Sequence, residues 1–329
     1  MEKAVKTILR VGIVGYGNLG KGVELAIAQN PDMELVAIFT RRSVSDLDSS
    51  SRVVPISEIG TFKDRVDVMI LCGGSSNDLP EQVIMVSELF NTVDSFDTHA
   101  KIPEYFEEVD RSARSHGTLS LISTGWDPGL FSMARLLGQS ILPEGEDYTF
   151  WGKGLSQGHS EAVRRVPGVR NGVQYTIPID SAIEKVRSGE NPQLATSEKH
   201  QRVCYVVAHD GADLPEIEAN IKKMPHYFDQ YHTLVHFITE EELKADHSAM
   251  PHGGIVLRSG ITGNGSKQRI EFSLDLESNP EFTASVLVAY ARAIGKMAGE
   301  GQIGARTVFD IPLGYLSPKS PAELRKALL

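Results

Sequence analysis

Three sets of residues in this chain have the types and spacing to do chemistry. The first is Gly15-Tyr16-Gly17-Asn18-Leu19-Gly20, a Gly-x-Gly-x-x-Gly run. Such a run suits a dinucleotide: its first glycine permits a tight turn, its second lets a pyrophosphate approach the backbone, and its third lets the next helix pack on the strand. That helix then offers N–H groups and a positive dipole end to the phosphates. The second set is Thr40-Arg41-Arg42-Ser43, about 20 residues on, where an NAD-specific domain carries an acid for the ribose 2′-hydroxyl. A carboxylate there would repel a 2′-phosphate, whereas guanidiniums bind it through charge-assisted hydrogen bonds. The pair points to NADP(H); two solvated arginines paired with Asp46 and Asp48 are the alternative. The third set is Cys72-Gly73-Gly74-Ser75-Ser76, Asp94, Asp97, Trp126 and Asp127, each at the end of a strand-like run. The small residues suit close approach to a cofactor, and a turn or cap role competes at each position.

These residues need elements to hold them. Ile8 to Val14 is apolar and β-branched, as in a buried parallel strand, and about Leu19 to Gln29 carries apolar residues at helical spacing up to Pro31. "MELVAIF" is a second strand, and 66–76, 90–99 and 118–129 contain others, with helical patterns around 80–90 and 103–116. This alternation predicts an α/β, Rossmann-type, doubly wound parallel sheet, whose ligands sit beyond the carboxyl ends of its strands. After Pro128 comes a helix over 132–142. Strand-like stretches follow: "DYTFWG", "NGVQYTIPI", "QRVCYVVAH", "YHTLVHFI", "GGIVLRSG" and "KQRIEFSLDLE". They predict a second α+β domain with a mixed or antiparallel sheet. A helix is expected over 279–301, and "RTVFDIPLGYLSP" is expected to return to the first domain. The expected division is 1–125, joined by about 300–329, for the dinucleotide, and 126–299 for the substrate.

With 41 % hydrophobic residues in 329, the chain can bury a core for about two domains. A net charge of −10 argues against non-specific nucleic-acid binding. No stretch has the run of about 20 apolar residues that a membrane helix needs, and the start has no apolar core followed by a cleavage site. Cys72 and Cys204 lack a CxxC spacing; a disulfide between them is open, and two reduced thiols in a cytoplasmic protein is the favoured reading. His232 and His236, four apart in a strand-like run, share a face without being adjacent. No metal site is expected from them or from His247 and His252.

The motifs "VGIVGYGNLGKGVE", "IFTRRS", "STGWDPGLFS", "FWGKGLSQGHSEAVRRVPGV", "MPHGG" and "NPEFTAS" together resemble meso-diaminopimelate dehydrogenase over essentially the whole chain. The resemblance implies oxidative deamination, by NADP⁺, of the D-centre of meso-2,6-diaminopimelate. Ammonia and L-2-amino-6-oxopimelate are released, the latter cyclising to tetrahydrodipicolinate, and the reverse direction serves lysine and peptidoglycan synthesis. It also implies a homodimer. By the same resemblance Asp97, Trp126, Asp127, Trp151, Gln157 and Gly158 surround the reacting D-end. Thr176, Arg202, His252 and Asn279 hold the distal L-end, with Arg202 on the carboxylate. Asp127 is the leading candidate to accept the amine proton, and a water relayed by Asp97 would serve equally. Trp151 as a core residue and Arg202 as a surface ion-pair partner are the plain alternatives.

Two rivals share the first domain's motifs. One is another reductase on this architecture, such as a dihydrodipicolinate-reductase-like enzyme or the glucose-fructose oxidoreductase type. Lys101 in "HAKIPE" lies near the latter type's catalytic lysine, but the preceding acid of its Glu-Lys-Pro triplet is missing. The other is a non-catalytic NADPH sensor, which has no need of the polar residues in the second half.

Overall fold

The computed structural model describes residues 8–75 and 77–329. In chain order the first elements are β1 (Leu9–Val14), α1 (Asn18–Ala28), β2 (Met33–Thr40), β3 (Val53–Pro55), β4 (Val68–Leu71), α2 (Leu79–Ser87), β5 (Asn91–Asp94), α3 (Ile102–His116), β6 (Leu119–Leu121) and α4 (Leu130–Ile141). Then come β7 (Gly145–Trp151), β8 (Gly154–Leu155), α5 (Gln157–Arg164), β9 (Val169–Pro178), α6 (Asp180–Arg187), α7 (Thr196–Lys199), β10 (His200–Ala208), α8 (Leu214–Lys222), β11 (His232–Phe237) and α9 (Glu240–Asp246). The last are β12 (His252–Thr262), β13 (Ser266–Leu276), α10 (Asn279–Gly299), β14 (Gly304–Arg306) and α11 (Pro321–Leu328).

The chain packs as two compact units, Met1–Met133 with Pro280–Leu329, and Ala134–Asn279. Residues 126–133 and 280–299, expected in the second domain, therefore belong with the first. The reason is burial. Along α10, Ala284, Leu287, Val288, Ala291 and Ile294 enter one core with Val11 and Ile13 of β1, Ile70 of β4 and Val23 of α1. A buried bidentate pair, Arg292 to Asp32 at 2.6 and 2.9 Å, ties the same helix to the turn before β2.

The first unit holds a seven-stranded sheet, ordered β14-β6-β5-β4-β1-β2-β3 with every pairing parallel. Its central strands are apolar on both faces: Ile13, Ile38 and Ile70 pack with α1 and α10, and Phe39, Met69 and Leu71 with α2 and α3. Two covered faces explain the continuous runs of Val, Ile and Leu. The doubly wound fold expected from the sequence is present, and β14 brings the C-terminal part of the chain onto the sheet's edge.

The second unit has two sheets. One is mixed, ordered β11-β10-β9-β8, with β10 and β11 parallel; the other is antiparallel, ordered β13-β12-β7. The expected strands all form. The strand pattern predicts one sheet with few helices, whereas α5 to α9 lie between the strands and two sheets form. Cys204 and Val206 of β10, with Val163 of α5 and Ile217 of α8, form one small core, and Phe150, Ile183 and Leu257 another.

Candidate active site

In the first unit the fingerprint forms the turn from β1 into α1. A side chain at Gly20 would place its Cβ 2.3 Å from the carbonyl oxygen of Gly15, so only glycine lets the helix approach this closely. At Gly17 nothing lies within 4 Å of where a Cβ would be, and no side chain caps the helix N-terminus. Open space before an uncapped helix end fits a pyrophosphate.

Past β2, both arginines are exposed, while Thr40 is buried. Arg42 donates a guanidinium N–H to the Tyr16 carbonyl, and its backbone N–H donates to Thr40 Oγ1 at 3.0 Å. Arg41 pairs with Asp78 at 2.5 Å, not with Asp46 or Asp48. Asp78 also accepts the Gly74 N–H at 2.8 Å, and these two contacts, the backbone one first, hold its carboxyl below the usual range. The 73–75 loop, the arginines and the fingerprint are thus linked by hydrogen bonds and an ion pair. Ser76 lies outside the described residues.

The ends of β5 and β6 carry the acids. Asp97 is exposed, and its backbone N–H donates to Ser75 Oγ at 2.8 Å. Trp126 is buried edge-to-face on Phe131, 5.3 Å between ring centres. The loop bearing Trp126 and Asp127 closes through bonds from Leu130 N to Gly125 O and from Phe131 N to Trp126 O. A side chain at Gly129, at φ +133°, would strike Gly125 O at 1.8 Å. Asp94, expected at the cofactor, is instead 0 % exposed, with both carboxylate oxygens accepting hydrogen bonds inside the fold. Burial raises its pKa to about 6 against the opposing pull of Phe96 N–H, Ser123 N–H and the Tyr105 hydroxyl.

The second unit assembles a different cluster. Gly154, Thr176, Arg202 and Thr233 form one row across β8, β9, β10 and β11. Arg202 is 7 % exposed, so it is no surface ion-pair residue. Its guanidinium donates to Thr176 Oγ1 and lies 4.0 Å over the Tyr231 ring. It has no salt bridge among the described residues, and its Nε has no hydrogen-bond partner. Burial lowers its pKa. Its charge, after burial, helps to push His159 down to about 4, so His159 is neutral and shares a hydrogen bond with Ser156 Oγ. Gln174, on the same face of β9 as Thr176, is 0 % exposed, and neither of its amide atoms is paired.

The remaining expected residues of this unit have the following settings. A Cβ at Gly154 would lie 2.5 Å from the His252 ring, so the imidazole covers the row's end. Gln157 Nε2 donates to Met250 Sδ at 3.1 Å, and the Asn279 N–H to Met250 O at 2.9 Å. Gly158 is exposed in the first turn of α5. Trp151 is 39 % exposed, which rules out the core reading; its ring stacks on His200 and its backbone N–H donates to His200 Nε2 at 2.8 Å. Trp151, Gln157, Gly158, Thr176, Arg202, His252 and Asn279 thus belong to the second unit, and Asp97, Trp126 and Asp127 to the first. Sequence reasoning passed over Tyr231, His159 and Gln174. His159 stands within the "GLSQGHS" motif, but a cross-strand ring contact and complete burial leave no local signal.

Residues 125–278 match the family described as Diaminopimelic acid dehydrogenase C-terminal domain. Meso-diaminopimelate D-dehydrogenase of Ureibacillus thermosphaericus is 62 % identical, over 98 % of this chain and 99 % of that one. A crystal structure of a Clostridium tetani meso-diaminopimelate dehydrogenase variant with DAP has a TM-score of 0.94 at 62 % identity, covering 98 % of this chain and all of that one. An engineered D-amino acid dehydrogenase bound to NADP⁺ has a TM-score of 0.87 at 44 % identity, with the same coverage. The Clostridium variant replaces a Gln, a Thr, an Arg, a Pro, a His and an Asn. Their order and spacing match Gln157, Thr176, Arg202, Pro251, His252 and Asn279 here. Only Pro251 was absent from the sequence-based set.

Proposed function

Because the chain belongs to the meso-diaminopimelate D-dehydrogenase family, we propose that it catalyses reversible, NADP-dependent oxidative deamination of the D-centre of meso-2,6-diaminopimelate. The observation that carries this reading is a match over 98 % of the chain at 62 % identity. The products are ammonia and L-2-amino-6-oxopimelate, which cyclises to tetrahydrodipicolinate.

Each residue's part follows from its setting. Bound NADP⁺ supplies the hydride acceptor, and Gly17, Gly20, Arg41 and Arg42 fit its phosphates. Asp97 and Asp127, at neighbouring strand ends, bind the ammonium of the D-centre. Asp127 takes the proton that the amine must lose before hydride departs. Trp126 and Trp151 exclude water and position the chain. The substrate has two amino-acid ends of opposite hand, so discrimination requires a second, dissimilar cluster. Arg202, buried with no carboxylate of its own, suits the distal carboxylate, with Thr176, His252 and Asn279 around it.

Supply of NADP(H) and two free cysteines favour a cytoplasmic enzyme. The exposed strand β13, with Phe272 on its surface and no strand on its outer edge among the described residues, favours a homodimer. Sedimentation tests this.

Mixing the protein with NADP⁺ and meso-diaminopimelate at alkaline pH is expected to generate NADPH absorbance. A rate equal to the blank overturns the reading. The LL-isomer is expected to be a poor substrate; an LL rate equal to the meso rate refutes two dissimilar clusters.

A further inference from the structure

We propose that Asp94 is a positioning residue that fixes two separate loops, one bearing Asp97 and the other bearing Trp126 and Asp127, through one buried carboxylate. This rests on the assignment of Asp97 and Asp127 to the reacting end in the reading above.

The geometry is convergent. Asp94 ends β5, which runs parallel beside β6 with Val93 opposite Leu121. Asp94 Oδ1 accepts the Phe96 N–H at 2.9 Å and the Ser123 N–H at 3.0 Å. The first donor immediately precedes Asp97. The second opens the segment that reaches Trp126 and Asp127. The backbone carbonyl of Asp94 accepts the Thr124 N–H at 2.9 Å, pinning the second segment twice. Oδ2 accepts the Tyr105 hydroxyl at 2.8 Å, and the Tyr105 ring stacks on Phe96, 4.0 Å between centres. The phenol thus sets both the carboxylate's rotation and the path of the first loop.

Ser123 shows that the second loop is held rather than relaxed. Its φ is +54°, a left-handed conformation that serine seldom adopts, and its Oγ is buried without a partner. Such a conformation persists where surrounding contacts over-determine it. The contact to Asp94 is the one that fixes its N–H. A carboxylate that is 0 % exposed and committed to three donors cannot also hold a ribose or nicotinamide. Its work is to set where Asp97 and Asp127 stand relative to each other, and catalytic rates are sensitive to displacements of about 1 Å in such groups.

Asp94→Asn keeps the size and one acceptor oxygen, and Tyr105→Phe removes one donor. Each variant is to be measured for kcat and KM with meso-diaminopimelate, for NADP⁺ Kd by calorimetry, and for amide hydrogen exchange over 95–99 and 122–128. Asp94→Asn is expected to lower kcat about 10- to 100-fold, and Tyr105→Phe about 3- to 10-fold, with NADP⁺ Kd within about twofold. Exchange is expected to rise in both segments together. An unchanged kcat, activity lost only in step with NADP⁺ binding, or faster exchange in one segment or neither overturns the proposal. Should Asp94→Asn fail to fold, Tyr105→Phe decides by the same readouts. If the unmodified enzyme has no activity with meso-diaminopimelate, the function reading fails, and the exchange data still decide whether Asp94 couples the loops.

Discussion

Asp94 and Arg202 are both buried charged groups, one in each unit, and they are treated in opposite ways. Every polar atom of the Asp94 carboxylate is used by its own fold. Arg202 keeps an unpaired Nε, has no salt bridge among the described residues, and shares its face with Gln174, whose amide is also unpaired. A buried charge costs free energy unless it is matched. Where the match is internal, the charge fixes geometry; where it is left open, the charge remains available to a ligand. On the function proposed above, the contrast would separate a residue that shapes a site from one that meets a substrate.

The widest break in that contrast comes from Arg202→Met. It is expected to lower kcat/KM for meso-diaminopimelate about 100- to 1000-fold, from the loss of a buried charge-assisted contact. A D-amino acid without a second carboxylate should be nearly unaffected in steady-state assays. Thermal unfolding should show Tm unchanged or raised, because an unmatched cation is removed. A fall in Tm would place Arg202 with Asp94, as a structural charge.

The two regions should also respond to pH with opposite sign. His200, 3 % exposed and accepting the Trp151 N–H, has its pKa pushed down to about 4 by burial and, next, by Arg202. The unfolded chain therefore binds a proton first. The stabilisation is complete above about pH 6.5 and is lost as pH falls toward 4, on the order of 3 kcal/mol. Asp94 has a raised pKa, so its contribution is present at low pH and is lost as pH rises through about 6. Urea titrations at several pH values should show His200→Gln flattening the loss on acidification. Unchanged slopes would mean that His200 is not isolated from water.

The arginines at 41 and 42 stand between these extremes, each with one guanidinium contact inside the fold and otherwise exposed. Replacing both by Ala is expected to raise KM for NADP⁺ about 10- to 100-fold and that for NAD⁺ less than about threefold. Equal effects on the two cofactors would show that the pair serves only the loop.

Much of the first unit was legible because its signals are local. The fingerprint, the β-branched runs and the missing acid before Arg41 all lie within a few residues of what they specify. Asp94 was misread because an acid at a strand end looks the same whether it faces a ligand or the interior; only its three donors distinguish them. The second unit's strands were legible by alternation. Its division into two sheets was not, because pairing such as β10 with β9 and β11 depends on residues far apart in sequence. Helix α10 was assigned to the wrong unit for the same reason: its apolar face was evident, but the strands it covers lie at the other end of the chain. Arg202 was expected at the distal carboxylate by resemblance, and its lack of an internal counter-charge is a property of the packed sheet alone.

The return of α10 and β14 to the first sheet has a consequence for synthesis on the ribosome. The second unit is one continuous segment and is complete in sequence once residue 279 has been added. At that moment the sheet begun by the first residues still lacks β14 at its edge and the helix that buries Val11, Ile13 and Ile70. The later-encoded unit can therefore finish folding first, while the earlier one waits with an apolar face uncovered.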